Sequence, residues 1–383
     1  MRWWAGLLFL SLAIAQAPKP LLVGSLTGEA LYPGGRGIAY GEARLLAQGL
    51  GLSLWQGQNQ VALGLGSQLK AFPVVAEEAR AAKGPFAWRQ GDKVYVPLRP
   101  LAEALGLEYR AQEGIRLSLP WARLLGVERG QGRLLLRFSR EVNAVVQGGG
   151  VLFLLAQGEE PGFRREALGL FLPLETPPDR LYYPGGNRVA LEWGPLPRPR
   201  PLVLLDPGHG GQDPGMSFGD LKEKDLALDL ARRVAARLPG SHLTRSGDET
   251  LPLEARLTQA QGASVLISFH LTQGSALNLY LPKARRSLLA QNAQALLASA
   301  PKERAALLKV HAGDPRLLAQ ALEEAFGALG LVVARAEGPY ALLDIPGAGV
   351  ILEVGVERLR TAEGRNALAE AVARGVRAYL EGP

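Results

Sequence analysis

Asp206-Pro-Gly-His-Gly-Gly-Gln-Asp-Pro-Gly215 is the stretch from which the fold can be read. It follows Leu202-Val-Leu-Leu205, a short apolar run that predicts a buried strand. The glycines predict a tight turn that presents His209 at the strand's carboxyl end, where open α/β sheets bind their ligands. Glu223 follows in Leu221-Lys-Glu-Lys-Asp225, at the start of a helical pattern, and a second apolar run, Val265-Leu-Ile-Ser-Phe269, delivers His270 in the same way as His209. Two histidines and a glutamate at strand and helix ends form the ligand set of an open catalytic zinc site, with one position left for water. Asp206 and Asp213 remain open to two roles: orienting a ligand histidine or bonding the turn's own amides. The expected fold class is α/β, with a mostly parallel sheet flanked by helices in a C-terminal catalytic domain, residues 202–383. A small α+β domain and a β-sandwich-like domain precede it.

Amide hydrolysis also needs a group that moves a proton onto the departing nitrogen. Glu353 is the candidate, because it interrupts the apolar run Gly349-Val-Ile-Leu-Glu-Val354, where a carboxylate is costly unless it is paired or faces a site. Desolvation there would raise its pKa toward proton-transfer chemistry; a salt bridge to a residue such as Arg335 is the alternative. His242, in a strand-like Ser-His-Leu-Thr-Arg, and His311, between helical segments, are expected to play no part in the centre. No cysteine is present, so thiol nucleophiles, disulfides and lipid attachment to cysteine are excluded. The glycine-rich turn has no following Lys-Ser/Thr pair and is not a nucleotide loop; no Gly-x-Ser-x-Gly elbow occurs either.

Four pieces stand in a recognisable order over residues 201–380: the Asp206–Gly215 turn, Leu-Lys-Glu-Lys-Asp, the Ser-Phe-His strand end, and Val350-Ile-Leu-Glu-Val-Gly355. Together they resemble the zinc-dependent N-acetylmuramoyl-L-alanine amidases, cell-wall hydrolases that free daughter cells after division. The resemblance implies one catalytic Zn²⁺ held by His209, Glu223 and His270, with Glu353 as the proton-transfer residue. It implies peptidoglycan as the substrate, cut between the lactyl group of N-acetylmuramic acid and the L-alanine of the stem peptide. A protein activator from the division machinery is a further implied partner. Arg245 resembles the family's strand-end arginine, and a packing or helix-capping salt bridge explains it equally. Two departures fall at the rim of the expected groove. The family commonly has Ala then Asn or Asp after its second metal histidine, where this chain has Leu271-Thr272. After the glutamate the family commonly continues Leu-Gly-Phe, with an Asn shortly after; here it is Val354-Gly-Val-Glu-Arg358. Residues 287–331 read as two helices, and in some relatives a helix in this region blocks the site until a partner removes it. A peptidoglycan-binding scaffold without turnover, and a zinc peptidase, are the rival readings of the same residues.

The rest of the chain fits an exported protein. Met1-Arg-Trp-Trp, the apolar Leu7–Ile14 and Ala15-Gln-Ala17 compose an expected signal peptide over residues 1–17, for a periplasmic or extracellular destination. Residues 18–120 contain a repeat, Leu46-Ala-Gln-Gly-Leu-Gly-Leu52 against Leu101-Ala-Glu-Ala-Leu-Gly-Leu107, and resemble the small α+β domain named from copper amine oxidases. No histidine precedes His209, so copper is not expected. Residues 121–194 carry short strands such as Arg133-Leu-Leu-Leu-Arg-Phe-Ser139 and loosely resemble a septal-localisation β-domain; the proline-rich 195–201 reads as a linker. The net charge of +7 favours polyanions, but the basic residues are dispersed and lack the clustered pattern of a nucleic-acid groove.

Overall fold

The computed structural model describes residues 17–35, 37–194, 202–300 and 312–382 of the 383-residue chain. The expected signal peptide (apart from Ala17), the 195–201 linker and His311 lie outside the described residues. Among those described, no helix is long and apolar enough to cross a membrane.

The chain divides into two compact units. One comprises residues up to Leu50 together with Phe72–Leu119. It contains a four-stranded sheet in which Lys19–Val23 pairs parallel with Ile115–Ser118, flanked by Leu26–Ala30 and Glu108–Ala111. The repeat falls on two helices, Ala43–Leu50 and Leu98–Leu105. Each is followed by a glycine in the left-handed region, Gly51 (φ +62°) and Gly106 (φ +64°), which ends a helix without a Cβ penalty.

The other unit holds Gly51–Ala71 and everything from Pro120. Its β-rich part, up to Glu192, is two antiparallel-dominated sheets of five and four strands closing on one core that includes Leu136, Phe138, Phe153, Leu172 and Leu191. The C-terminal part is a mixed α/β domain. Its strands are β1 (Val203–Pro207), β2 (His242–Leu243), β3 (Val265–Thr272), β4 (Leu277–Pro282), β5 (Ala334–Gly338) and β6 (Ala348–Gly355). Its helices are α1 (Glu223–Arg237), α2 (Leu253–Ala260), α3 (Leu288–Ser299), α4 (Pro315–Gly327) and α5 (Ala362–Glu381). The sheet order is β2-β1-β3-β6-β4-β5. The first four strands run parallel, whereas β4 is antiparallel to β6 and carries β5 parallel to itself.

The two faces of this sheet are covered unequally, and that inequality creates the site. Leu226, Leu230 and Val234 of α1, Leu318, Leu322 and Phe326 of α4, and Leu368, Val372 and Val376 of α5 recur at i, i+4, i+8. Such spacing puts each triad on one helix face. They pack on Ile267, Phe269, Val350, Leu352 and Val354 of the sheet. Each such buried side chain contributes roughly 1.5–3 kcal/mol relative to exposure. The opposite face has less cover: Leu204 and Leu266 meet Ala260 of α2 and a loop carrying Leu343 and Ile345. Strand alternation sends Asp206, Ser268, His270 and Glu353 to this second face.

The segment expected as two helices over 287–331 includes α3 and α4, which serve different cores. Leu318, Leu322 and Phe326 of α4 belong to the C-terminal domain, whereas Leu289 of α3 enters the β-rich core. Asn292 of α3, 3 % exposed, accepts from Val146 N (2.9 Å) and donates to Ala144 O (2.8 Å), so its amide pairs with a sheet edge as another strand would. Ser287 caps the helix through Ala290 N.

Candidate active site

Strand β1 ends at Pro207, and the chain then turns through Gly208 into His209. A Cβ on Gly208 would lie 2.6 Å from Cε1 of His270, so a side chain there would push the second imidazole away. His209 itself has φ +58°, a backbone conformation uncommon outside glycine, which swings its ring toward β3. Gly215 closes the turn at φ +65°; a Cβ there would be 2.7 Å from both Glu223 Oε2 and His209 Cδ2.

Arg245 holds this turn from beneath. It is 1 % exposed and donates to the carbonyls of Pro207 (3.1 Å), Gly208 (2.8 Å), Lys224 (2.8 Å) and Gly247 (2.9 Å). The geometry is that of a backbone clamp, with carbonyls rather than a carboxylate as these partners, which is not the salt bridge offered as one explanation of Arg245. Arg256 of α2 adds a second clamp: it donates to Asp206 Oδ1, to Pro207 O (2.9 Å) and to His209 O (2.6 Å). Asp206 also accepts from Thr244 Oγ1 (2.6 Å) and Ser268 Oγ (2.7 Å). Burial alone would raise the Asp206 carboxyl; Arg256 and the two hydroxyls outweigh it and hold the carboxyl below the usual carboxylate range.

Glu223, the first residue of α1, is 2 % exposed. Its Oε1 lies 3.1 Å from His209 Nε2 and 3.0 Å from His270 Nδ1. One ligand atom from each of the three residues falls within 4.8 Å of the others, so the cluster has the donors and the closeness to hold a metal ion. Leu271 N (3.0 Å) and Met216 N (2.8 Å) donate to the same carboxylate. Burial would raise the Glu223 carboxyl, but the hydrogen bonds from both histidines and both amides outweigh it and hold it far below the usual range. His209 turns its other nitrogen, Nδ1, to Asp213 Oδ2 at 2.8 Å, while Asp213 Oδ1 accepts from Gly215 N at 3.1 Å. Asp213 therefore fills both roles left open for it, whereas Asp206 supports the strand ends. Burial lowers the His209 pKa, and its bonds to Glu223 and Asp213 more than reverse that.

Glu353 sits opposite His270 in the β3–β6 register and opposite Asn278 in the β6–β4 register. Registered neighbours share a face, and adjacent strands lie about 4.8 Å apart, so the carboxylate stands beside the cluster on the open face. Asn278 Nδ2 (2.7 Å) and Tyr280 Oη (3.0 Å) both donate to its Oε2. Burial and then the Glu353 carboxylate push the Tyr280 phenol up to about 12, so it stays a donor. Arg335, the alternative partner for Glu353, pairs instead with Glu323 at 2.5 Å. His242 is exposed on the short edge strand β2. Arg256, Asn278 and Tyr280 escaped the sequence reading. Asn278 and Tyr280 had a legible signal, since they alternate with Leu277, Leu279 and Leu281 on a strand that flanks the glutamate.

An α/β domain with a His–Glu–His cluster at its strand ends and a held carboxylate beside it has the composition of a metal-binding site. Residues 203–378 match the family model described as N-acetylmuramoyl-L-alanine amidase. Over 78 residues the chain is 41 % identical to N-acetylmuramoyl-L-alanine amidase AmiC of Neisseria meningitidis, covering 18 % of this chain and 19 % of that protein. Against AmiC of Escherichia coli O6:H1 it is 40 % identical over 91 residues, 20 % of this chain and 22 % of that protein. The chain thus spans about a fifth of the length of these relatives. Among solved structures, the catalytic domain of CwlV, an N-acetylmuramoyl-L-alanine amidase from Bacillus (Paenibacillus) polymyxa, aligns at 23 % identity with a TM-score of 0.36. That alignment covers 47 % of this chain and 98 % of that domain.

Proposed function

We propose that this protein is an exported peptidoglycan hydrolase that cleaves the amide between the N-acetylmuramoyl lactyl group and the L-alanine of the stem peptide. The observation that carries the reading is the convergence of His209 Nε2 and His270 Nδ1 on Glu223 Oε1, with Glu353 in register on the neighbouring strand. Two imidazoles and one carboxylate suit zinc, and His209, Glu223 and His270 would hold it. Bound there, zinc supplies a Lewis acid for the scissile carbonyl and lowers the pKa of water to about 7.

The chain's own residues account for the rest. With a metal bound, Asp213 would accept the Nδ1 proton of His209 and leave Nε2 as the ligand nitrogen. Glu353 takes a proton from the attacking water and passes it to the leaving amine. Asn278 and Tyr280 both bond Oε2, so among the described residues Oε1 is the oxygen left for that traffic. Asp206, paired with Arg256, accepts from Ser268 and so ties the end of β1 to β3, from which the two histidines follow.

Digestion of purified peptidoglycan by the full chain, with and without added zinc, tests this. Stem peptides beginning with L-alanine, seen by mass spectrometry and lost in Glu353→Gln, are the expected products. Cleaved casein with an intact wall would mean a peptidase instead. Retention on the wall without release of peptides would mean a scaffold.

A further inference from the structure

Helix α2 carries Arg256, which donates to Pro207 O and His209 O on the turn that delivers the first histidine. Isolated helices shorter than about 12 residues are marginal in water, and α2 has eight, so its position is set by packing. It also begins at Pro252 without a side-chain cap. The sheet side meets it through Ala260, a single methyl, beside Leu204 and Leu266. Leu253 and Leu257 are four apart, hence on one helix face, and they belong to a different cluster.

That cluster is built from residues far earlier in the chain. Ser53–Gln56 and Gln60–Leu65 form an antiparallel hairpin in which Trp55 stands opposite Ala62, so the two share a face. Trp55, Ala62 and Ala71 pack with Leu253 and Leu257, and with Ala341 of the loop that precedes β6. Polar contacts fix the same joint. Glu254 Oε1 accepts from Ala71 N at 3.0 Å and pairs with Lys70 Nζ at 3.4 Å. Gln58 N donates to Pro339 O at 3.0 Å and Trp55 Nε1 donates to Asp344 O, so the hairpin grips that loop at both ends. The helix that clamps the metal turn is therefore seated by residues outside the C-terminal domain.

We propose that residues 53–71 are a positioning element of the metal site. By seating α2 they hold Arg256 against the carbonyls of Pro207 and His209, with Trp55 and Glu254 as positioning residues. The inference rests on the metal-site reading of His209, Glu223 and His270. A non-glycine residue at φ +58°, as His209 is, persists where its surroundings over-determine it. Loss of the seat lets α2 tilt and draws the guanidinium off the His209 carbonyl. The three ligand side chains then remain, but the turn no longer fixes the first imidazole against Glu223.

The test titrates the metal-free full chain with zinc against a competing chelator, well below the melting transition. Trp55→Ala should raise the zinc dissociation constant about tenfold, the lower end of what losing an outer partner of a metal ligand costs. Glu254→Ala, at a half-buried position, should move it the same way by less, and it decides the matter if Trp55→Ala does not fold. Leu322→Ala, in the core on the far face of the sheet, is the stability control. It should lower the melting temperature and leave the zinc constant unchanged. An unchanged constant in the Trp55 and Glu254 variants, or an equal loss in Leu322→Ala, overturns the proposal. If wild type binds no zinc, the metal reading fails, and hydrogen exchange decides the positioning role by itself. In the turn, Gly208 N bonds Phe269 O and Gly210 N bonds Asp213 O, both at 2.9 Å. Faster exchange over residues 207–213 in Glu254→Ala, with α5 unchanged, supports the proposal; equal exchange in both proteins overturns it.

Discussion

Asp206 and Glu223 are carboxylates of one domain, 1 % and 2 % exposed, and they do opposite things. Asp206 faces a permanent cation, Arg256, and two hydroxyls, so its charge is answered inside the protein. Glu223 faces two imidazoles and two backbone amides, groups that bond a carboxylate without cancelling its charge. Burial alone therefore does not mark a functional acid. What sets it apart is that two of its partners are imidazoles, whose nitrogens gather with its own oxygen within 4.8 Å of one another, a donor set that could hold a cation from outside.

The comparison can be broken by exchanging the consequences of losing each acid. Glu223→Gln should abolish stoichiometric zinc binding, measured by metal analysis of dialysed protein, with wall digestion lost alongside. Glu353→Gln should keep the zinc yet lose about 10²–10⁴-fold in rate, the usual worth of a general acid–base group. Removal of Asp206 should read out in stability. Asp206→Ala strands a buried guanidinium and should cost about 3–5 kcal/mol in urea unfolding at pH 7. Its pH dependence has a defined sign. The folded pKa of Asp206 is lowered, so its contribution is present above the ordinary carboxylate pKa and fades as pH falls through the lower folded value. Asp206→Asn should flatten that acid limb.

Two smaller effects sharpen the scale. Asn292 is buried and neutral, bonded to both Val146 N and Ala144 O. Asn292→Ala should cost about 1–3 kcal/mol, because backbone groups of the sheet edge lose their partner. Thr361 caps α5 by accepting from Gly364 N at an exposed position, and Thr361→Ala should cost about 1 kcal/mol. If Asn292→Ala cost as much as Asp206→Ala, charge would not be what separates these buried polar groups.

Much of the centre was legible because its information is local. The apolar runs before His209 and His270, the glycines between them and the helix start at Glu223 are each short patterns with a direct geometric meaning. Glu353 was legible as a charge in an otherwise apolar strand. Arg256 was not, since in Leu253–Ala260 it reads as an ordinary helix cation and becomes a strand-end clamp only when α2 lies across β1. The same is true of Leu289 and Asn292: their periodicity announces a helix but says nothing about which core the helix serves. Sequence distance hides such partners, because contacts between elements depend on where the chain returns.

The hairpin within residues 51–71 carries a consequence for how this molecule can be taken apart. Its Trp55, 2 % exposed, packs with Leu253, Leu257 and Ala341, and the indole nitrogen donates to Asp344 O at 3.0 Å. A fragment beginning at residue 202 would carry the His–Glu–His cluster and Glu353 and still lack a piece of its own wall. The order of domains along the gene thus misdescribes the units that heredity could exchange. Swapping the C-terminal half for that of a relative would leave an indole without a seat and a seat without an indole. Recombination at the proline-rich boundary would then be selected against, although nothing near the chemistry had changed.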